Sequence, residues 1–498
     1  MGGNNGATLG QQRLNVFEFA ANIWEAVLQP KVDIIVQAQF TPLGANVLGS
    51  AGPRYVISDF PGEEFAGTWY HAALANHLAG EDLVPQLHDI NANFSSTFNF
   101  YFGFDNNEGA LVDLLPVVLH ELGHGLGFSN FVNEATGTLN GGIPDIYSQY
   151  TIDVTTGKIW NEMTDAERAA SAINVRKVSW NGINVKKDVP KVLQIGEPFA
   201  SINGGPMLML GAAAFGPPLT AAGVTGSVEL GVDPADAAGP TTTDACSALT
   251  NDLTGKIALV DRGTCGFAVK VKNAQNAGAI AVIVADNVVG SPPAGISGFD
   301  PTITIPSGRV TLADGNAIKA ALAGPVTAKL ALDTSVRAGT DRVKGLAMVA
   351  ALDPVAPGSS ISHWDTGAIP NQLMEPSINI DLTSSITPPE DLTSSQMTDI
   401  GWFSDGDGVP DGADNCIGSD LAVTVVIDGC DSKAGNDLQA NGCSVADDVA
   451  ECAVKFANKP LHELACVVKE TDRLRRAKII TVKEQAGILV CSLLTLGN

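Results

Sequence analysis

One stretch of this 498-residue chain limits its possible folds more than any other. Residues 111–126 are nearly all apolar apart from Asp113 and the group His120-Glu121-Leu122-Gly123-His124. Such a run predicts a buried helix, in which Pro116 is tolerated only in the first turn. Histidines four residues apart lie on one helix face, so both imidazoles can bind one zinc ion. Because burying three ionisable groups without a metal is costly, the run predicts a zinc-binding helix.

A zinc site of this kind needs a third protein ligand and an open position for water. In the pattern HExxHxxGxxH, Gly127 stands at the glycine, but Asn130, a poor zinc ligand, stands at the last histidine. Glu162 is one alternative, as in zincins that use a downstream glutamate. The remaining histidines of the chain are His71, His77, His88, His363 and His462.

A second motif singles out His363. It stands in Ser362-His363-Trp364-Asp365-Thr366, and Asn371-Gln372-Leu373-Met374-Glu375-Pro376 follows shortly after. HExxHGLGF, followed after a long insertion by HW and LMxP, resembles the leishmanolysin-type metzincins over about 14–195 and 343–402. The resemblance implies that His120, His124 and His363 bind zinc and that Met374 forms a Met-turn beneath the metal.

The same resemblance implies that Glu121 is the general base of a peptide hydrolase. Zinc polarises the scissile carbonyl and lowers the pKa of water, and Glu121 removes a proton and later delivers one to the leaving amine. Protein or peptide substrates are therefore expected. Two simpler interpretations stay open, in which His363 is a structural histidine or Met374 is ordinary core packing.

The composition changes from about residue 200, where Gly, Ala and Pro become more frequent. Residues 255–261, 268–278 and 279–286 predict a strand, a helix and a strand. Cys246 and Cys265 form a local pair that predicts a disulfide around the first strand. Residues 245–287 resemble a protease-associated domain, which implies a non-catalytic insertion over 200–342. An unrelated α/β insertion is the alternative.

An acidic, glycine-rich stretch follows at 403–416. Oxygen ligands at alternate positions suit Ca²⁺, and glycines let the chain wrap around the ion. The stretch resembles a single thrombospondin type 3 repeat, and it is not an EF-hand because Val409 stands at the third ligand position. A solvated acidic linker is the alternative. The predicted calcium ligands are Asp405, Asp407, Asp411 and Asp414.

Charge and hydropathy exclude other classes of protein. The chain has 29 Lys and Arg against 54 Asp and Glu, a net charge of −25. Such a surface repels phosphate backbones and anionic membranes, so no nucleic-acid partner is expected. No apolar run reaches the roughly 18–20 residues of a membrane helix, so no transmembrane segment is expected.

The cysteines indicate the compartment. The chain has eight cysteines and no CxxC pair, and six of the eight lie at or after residue 416. An even, clustered set of this kind indicates disulfides and an oxidising environment, which predicts secretion. The N-terminal sequence Met-Gly-Gly-Asn-Asn-Gly has no export signal. A cytosolic zinc peptidase is therefore an alternative, although it leaves the cysteines unexplained.

Together these features predict an α+β chain: a metzincin-like zinc protease core, an inserted α/β protease-associated domain, and a small disulfide-containing helical C-terminal tail. The predicted segments are 1–199 and 343–402 for the core, 200–342 for the insertion, 403–416 for the calcium loop and 417–498 for the tail. The predicted function is a secreted zinc endopeptidase. The alternative from another class is a catalytically inactive, calcium-dependent surface or adhesion protein, against which the intact Glu121 argues.

Overall fold

The computed structural model describes residues 2–109, 111–378, 381–402, 415–416, 419, 422–456 and 459–495. The chain forms two compact units, Met1–Ile400 and Gly401–Asn498. No helix in the described part of the chain has the length and apolarity needed to cross a bilayer. The predicted calcium ligands Asp405, Asp407, Asp411 and Asp414 lie outside the described residues.

The first segment of unit one packs helices around a small sheet. Strands β1 (Val36–Thr41), β5 (Ile90–Ser95) and β2 (Gly49–Pro53) lie in the order β1-β5-β2, which leaves β2 at an edge, antiparallel to β5. The other elements of this segment are α1 (Leu9–Leu28), β3 (Val56–Ile57), β4 (Tyr70–His71), α2 (Ala72–Ala79), β6 (Phe100–Tyr101), β7 (Val112–Asp113), α3 (Leu114–Leu126), α4 (Ile146–Tyr150), β8 (Thr151–Asp153), α5 (Asp165–Ala172), β9 (Val178–Trp180) and α6 (Ile183–Val192).

Helix α1 shows how this segment is assembled. The side chain of Thr8 caps it by accepting a hydrogen bond from the Gln11 amide. The buried residues recur every four positions and form one apolar stripe, Val16, Ala20, Trp24 and Leu28. The indole of Trp24 donates to the carbonyl of Leu119 at 3.2 Å, so α1 packs against α3.

Residues 195–337 form an α/β module around one mixed sheet of eight strands. Its elements are β10 (Ile195–Ile202), β11 (Met207–Met209), β12 (Gly211–Ala212), β13 (Val224–Leu230), β14 (Ile257–Asp261), α7 (Phe267–Asn276), β15 (Ala281–Ala285), β16 (Ser307–Val310), α8 (Leu312–Ala321) and β17 (Thr327–Arg337). The strand order is β11-β10-β17-β13-β14-β15-β16-β12. Ile257 and Leu259 pack into one apolar cluster, and Ala258 and Val260 pack into another. These four residues belong to β14. Parallel strands buried on both faces have continuous apolar sequences, which is why β14 was predictable.

The module joins the core through β10 and β17, which are antiparallel neighbours. Glu197 of β10 is buried and pairs with the guanidinium groups of Arg176 and Arg342, which lie in the core segments before and after the module. A second contact is a reciprocal pair of backbone hydrogen bonds between Ser291 and Asp353, at 2.9 and 3.0 Å. Both contacts fix the insertion to the core.

The chain then returns to the core through residues 338–400, which include α9 (Thr393–Asp399). Residues 350–363 form a hairpin-like loop, in which Ala350 donates to the carbonyl of His363 at 2.8 Å and Ile361 donates to that of Ala350 at 2.9 Å. Trp364, directly after this loop, is buried and packs edge-on against Phe128 with ring centroids 5.0 Å apart. The loop is thereby attached to the segment that follows α3.

The second unit is less purely helical than the sequence predicted. It contains the hairpin β18 (Thr424–Ile427) and β19 (Cys430–Gly435), then α10 (Val445–Lys455), α11 (Pro460–Arg476) and α12 (Val482–Thr495). Capping boxes, Ser444 with Asp447 and Thr481 with Glu484, lie at the starts of α10 and α12. Its six cysteines pair among themselves, as Cys416–Cys443, Cys430–Cys491 and Cys452–Cys466.

Candidate metal centre

Helix α3 positions two of the three predicted histidine ligands. Asp113 caps it by accepting a hydrogen bond from the Leu115 amide at 3.0 Å. Gly127 ends it with φ of +152°, a value that suits glycine, and its amide bonds to the carbonyl of Gly123. Because His120 and His124 are one turn apart in this helix, both rings leave it on the same face.

The Nε2 atoms of His120, His124 and His363 form a nearly equilateral triangle. They are 3.1 Å apart between His120 and His124, and 3.2 Å apart in the other two pairs. Three nitrogens bound at about 2.0–2.1 Å to one tetrahedral ion would lie about 3.3 Å apart, so this donor set fits zinc. No other group of three His, Cys, Asp or Glu side chains among the described residues is close enough to share a metal.

Each imidazole is fixed from behind by a backbone carbonyl. A proton on Nδ1 that is donated to such a carbonyl leaves the Nε2 lone pair available for a metal. Burial lowers the pKa of all three rings, that of His124 to about 3, so they are neutral at physiological pH. The acceptors are the carbonyls of Leu373 for His120 (2.7 Å), Phe128 for His124 (2.8 Å) and Ser359 for His363 (3.0 Å).

Glu121 follows the first ligand, and its carboxylate reaches the edge strand β2. It accepts a hydrogen bond from the amide of Ala51, and its Oε2 has no hydrogen-bond partner among the described residues. Burial raises the pKa of Glu121 to about 8. A bound cation would lower that pKa again, because positive charge favours the carboxylate. A carboxylate with one oxygen left over can accept a proton from water.

The segment predicted as a Met-turn contacts the helix at Gly123. Met374 is fully buried, and a Cβ built on Gly123 would lie 2.7 Å from the Met374 Sδ. The carbonyl of Leu373 accepts from His120, while the Leu373 amide donates to the buried carboxylate of Asp391. The turn therefore both supports α3 and orients the first ligand.

Neither Glu162, the alternative third ligand, nor Asn130, at the last position of the HExxHxxGxxH pattern, belongs to the histidine cluster. Glu162 is exposed at the end of a 3-10 turn, Trp160–Glu162, where its carboxylate accepts from the Ile159 amide at 3.3 Å. Asn130 is buried, and both its backbone amide and its Nδ2 donate to Ser362 Oγ, at 3.1 and 3.0 Å. The structure thus brings His363 to the two helix histidines, and it uses Asn130 to hold the residue before His363.

Several residues that shape the site were missed at the level of sequence. A Cβ built on Gly49 would lie 2.7 Å from Glu121 Oε1, so the glutamate occupies the space that this glycine leaves. Gly49 is one of 53 glycines, and nothing in the sequence distinguishes it. Asp391 and Tyr147 likewise act through contacts distant in sequence, since the Tyr147 hydroxyl donates to the carbonyl of Ile361 at 2.9 Å.

Two family models match parts of the chain. The PA domain model matches residues 224–318, which include β13 to β16 and α7. The chain contains a PA domain. Its predicted disulfide, Cys246–Cys265, is also present. A second model, described as SPBPB7E8-like, matches residues 82–168, which include α3.

The similar curated proteins share only part of the chain. The probable leucine aminopeptidase 2 of Aspergillus fumigatus is 37% identical over 134 residues, which cover 24% of this chain and 27% of that protein. The vacuolar-sorting receptor 3 of Arabidopsis thaliana is 47% identical over 83 residues, 15% of this chain and 13% of that protein. An aminopeptidase and a sorting receptor belong to different classes, so these matches indicate a common domain rather than a common activity.

Among solved structures, BSAP, a zinc aminopeptidase from Bacillus subtilis, aligns at 27% identity over 28% of this chain and 31% of that chain. The TM-score is 0.21, which does not establish a common fold. The activity therefore has to be inferred from the site itself.

Proposed function

We propose that the protein is a zinc endopeptidase of leishmanolysin type, with His120, His124 and His363 as zinc ligands and Glu121 as general base. The observation that carries the proposal is the convergence of three neutral imidazoles on one point beside a buried glutamate. With their Nδ1 protons donated to carbonyls, the three Nε2 lone pairs face one another without a donor. Such an arrangement is costly in a buried site unless a cation occupies it.

The residues of the chain assign the proton transfers. Zinc in such a site acts as a Lewis acid that polarises the scissile carbonyl and makes a nearby water more acidic. Glu121 accepts a proton from the attacking water as the new C–O bond forms. It returns that proton to the amine as the C–N bond breaks, so that one water molecule is divided between the new carboxyl and the new amine.

The edge strand β2 supports endopeptidase rather than exopeptidase action. In the sheet order β1-β5-β2, β2 has a neighbour on one side only among the described residues, and its residue Ala51 directs an amide to Glu121. An open strand edge can pair with an extended peptide through main-chain hydrogen bonds. A substrate bound in this way would pass Glu121 with chain on both sides of the scissile bond.

Secretion is part of the same proposal. The described chain contains no free cysteine, and four disulfides join its eight cysteines in both compact units. Disulfides persist in oxidising compartments and are rare in the cytosol. We therefore expect the peptidase to act outside the reducing cytosol.

The decisive experiment compares Glu121→Gln with Glu162→Gln, the same chemical change at an exposed glutamate outside the site. We expect the full chain to contain one zinc and to cleave casein and peptides blocked at both ends. Removing the base should lower turnover by about 10²–10⁴-fold with zinc retained, whereas Glu162→Gln should behave as wild type.

Three results would contradict the proposal. Wild-type turnover in Glu121→Gln would exclude the general base. Cleavage confined to peptides with a free N-terminus would replace the endopeptidase with an aminopeptidase, the activity named for relatives that share part of this chain. Zinc binding with no hydrolysis of any peptide would favour the inactive surface or adhesion protein.

Calcium binding is a separate proposal that rests on the sequence alone. Four aspartates within ten residues, Asp405, Asp407, Asp411 and Asp414, would repel one another unless a cation neutralised them. We expect calcium, but not zinc, to raise the melting temperature and to slow proteolysis between 403 and 416. Equal protection in the variant Asp407→Asn with Asp411→Asn would show that calcium binds elsewhere.

A further inference from the structure

The loop that carries His363 contains an unfavourable backbone conformation two residues before the histidine. Ile361 has φ of +64°, in the left-handed region. No other described non-glycine residue with positive φ is β-branched. A β-branched side chain is strongly disfavoured there, and such residues persist only where their surroundings hold them.

The surroundings hold Ile361 at both of its peptide groups. Its amide donates to the carbonyl of Ala350 at 2.9 Å, within the same loop. Its carbonyl accepts from the hydroxyl of Tyr147 at 2.9 Å, and Tyr147 is a fully buried residue of α4. The loop therefore cannot relax at Ile361 without breaking a buried hydrogen bond to another element.

The next residue, Ser362, is held by Asn130. The backbone amide and the Nδ2 of Asn130 both donate to Ser362 Oγ. Asn130 is itself fixed, because its Oδ1 accepts from the amide of Val132 at 2.8 Å and its Nδ2 also donates to Glu134 at 3.1 Å. The side-chain amide thus has one orientation that satisfies all of these partners.

This arrangement links the third ligand to the second. The segment after α3 supplies the carbonyl of Phe128 to His124 and, two residues later, supplies Asn130 to the loop of His363. The separation of His124 and His363 along the chain is 239 residues, so their relative position depends on such contacts. Asn130 occupies the position of the last histidine in the pattern HExxHxxGxxH.

We propose that Tyr147 and Asn130 are positioning residues: Tyr147 holds Ile361 in its left-handed conformation, Asn130 holds Ser362, and together they bring His363 to the other two ligands. The proposal rests on the zinc site described above and adds the residues that assemble it. Without these contacts Ile361 would return to negative φ, and the His363 ring would turn away from His120 and His124. Residues that orient ligands from outside typically change metal affinity by about 10–100-fold.

The test measures zinc affinity by competition with a chelator, using the full chain. Tyr147→Phe removes one hydroxyl and keeps the ring, and Asn130→Asp removes the Nδ2 donor and keeps the shape. We expect zinc to bind about 10–100-fold more weakly in both variants, and we expect the visible spectrum of the Co²⁺ form to show loss of a nitrogen ligand. The matched control is Tyr70→Phe, which removes a hydroxyl that accepts from the Phe65 amide at 3.0 Å and should leave zinc affinity unchanged.

A second variant tests the strain itself. Glycine adopts positive φ without penalty, so Ile361→Gly should make the loop less dependent on its supports. In that background, Tyr147→Phe should weaken zinc binding by less than about three-fold. That loss is well below the roughly 10–100-fold effect of residues that orient metal ligands. An equal loss of affinity with and without Ile361→Gly would overturn the strain argument.

The outcomes separate this proposal from the proposed function. Zinc affinity within two-fold of wild type in both Tyr147→Phe and Asn130→Asp would overturn the positioning role and leave the peptidase intact. A variant that melts earlier without a change in zinc affinity or in the Co²⁺ spectrum would show a purely structural role. A wild-type protein that binds zinc tightly but cleaves no peptide would overturn the peptidase and leave the positioning role. Failure of the wild type to bind zinc would overturn both.

Discussion

The three histidines come from two parts of the fold that are built in different ways: a helix side with His120 and His124, and a loop side with His363. His120 and His124 come from one capped, buried helix, and their relation follows from the pitch of that helix. His363 comes from an irregular loop that includes a residue with φ of +64°. The spacing of the two helix histidines would form in any protein that folds α3, whereas the position of His363 depends on contacts with residues far away in sequence.

This difference shows where the precision of the site resides. Regular hydrogen bonding fixes the helix side, so single substitutions around it act through packing. On the loop side, precision comes from separate hydrogen bonds, each of which can be lost alone. We therefore expect substitutions to affect stability more on the helix side and ligand geometry more on the loop side.

The largest expected effect is the loss of a ligand from either side. His120→Ala and His363→Ala should each weaken zinc binding on the order of 1,000-fold, beyond the 10–100-fold range for residues that only orient ligands. Zinc content after dialysis and titration against a chelator would measure the loss. Glu162→Ala and Asn130→Ala should retain more zinc than either ligand variant.

The comparison would fail if Glu162→Ala removed the metal while His363→Ala did not. In that case the third ligand would be the glutamate, and the loop of His363 would have to be assigned a structural role. Equal and complete loss of zinc in Asn130→Ala would contradict the distinction between a ligand and a residue that positions one.

The helix side was predictable because its determinants are local. The apolar run predicted a helix over 111–126, and the observed α3 begins at Leu114 because Asp113 caps it. The strand, helix and strand of the PA domain were found within a few residues for the same reason. Continuous apolar strands and turn residues lie next to one another in the sequence.

The loop side could not be predicted in the same way. His363 was singled out by resemblance, not by spacing, and an isoleucine argues locally against the conformation that it adopts. Tyr147, Asn130 and Asp391 contribute through hydrogen bonds to residues 18 to 232 positions away. Local sequence does not predict these hydrogen bonds. At Ile361 the tertiary contacts therefore override the local conformational preference.

The next effect concerns the ion pairs that attach the α/β module of residues 195–337 to the core near the loop that carries His363. Glu197 is 6% exposed at its side chain and pairs with Arg176, which also lies 3.6 Å from Asp365, two residues after His363. Because Glu197→Ala removes the buried carboxylate that pairs with both Arg176 and Arg342, we expect the free energy of unfolding to fall by about 2–4 kcal/mol. Chemical denaturation of the full chain would measure it.

A surface ion pair of the same module provides the control. Glu229 pairs with Lys256, and their side chains are 40% and 33% exposed. Glu229→Ala should change the free energy of unfolding by less than about 1 kcal/mol, because solvent screens exposed pairs. If the two substitutions had equal effects, the ion pairs of Glu197 would be ordinary surface contacts and would not stabilise the loop that carries His363.

The smallest expected effect tests the helix side through packing. A Cβ built on Gly123 would lie 2.7 Å from the sulfur of Met374, whereas at Gly10 of α1 the nearest atom would be 4.0 Å away. Gly123→Ala should therefore lower the free energy of unfolding by about 1–3 kcal/mol through overpacking. Gly10→Ala should raise it by about 0.5–1 kcal/mol, because alanine favours a helix where space is open. Opposite signs for the same substitution in two helices would show that the zinc helix is limited by its contact with the methionine and not by its helix propensity. If Gly123→Ala instead kept the stability and lowered zinc affinity, the helix side would behave like the loop side, and the distinction between them would be lost.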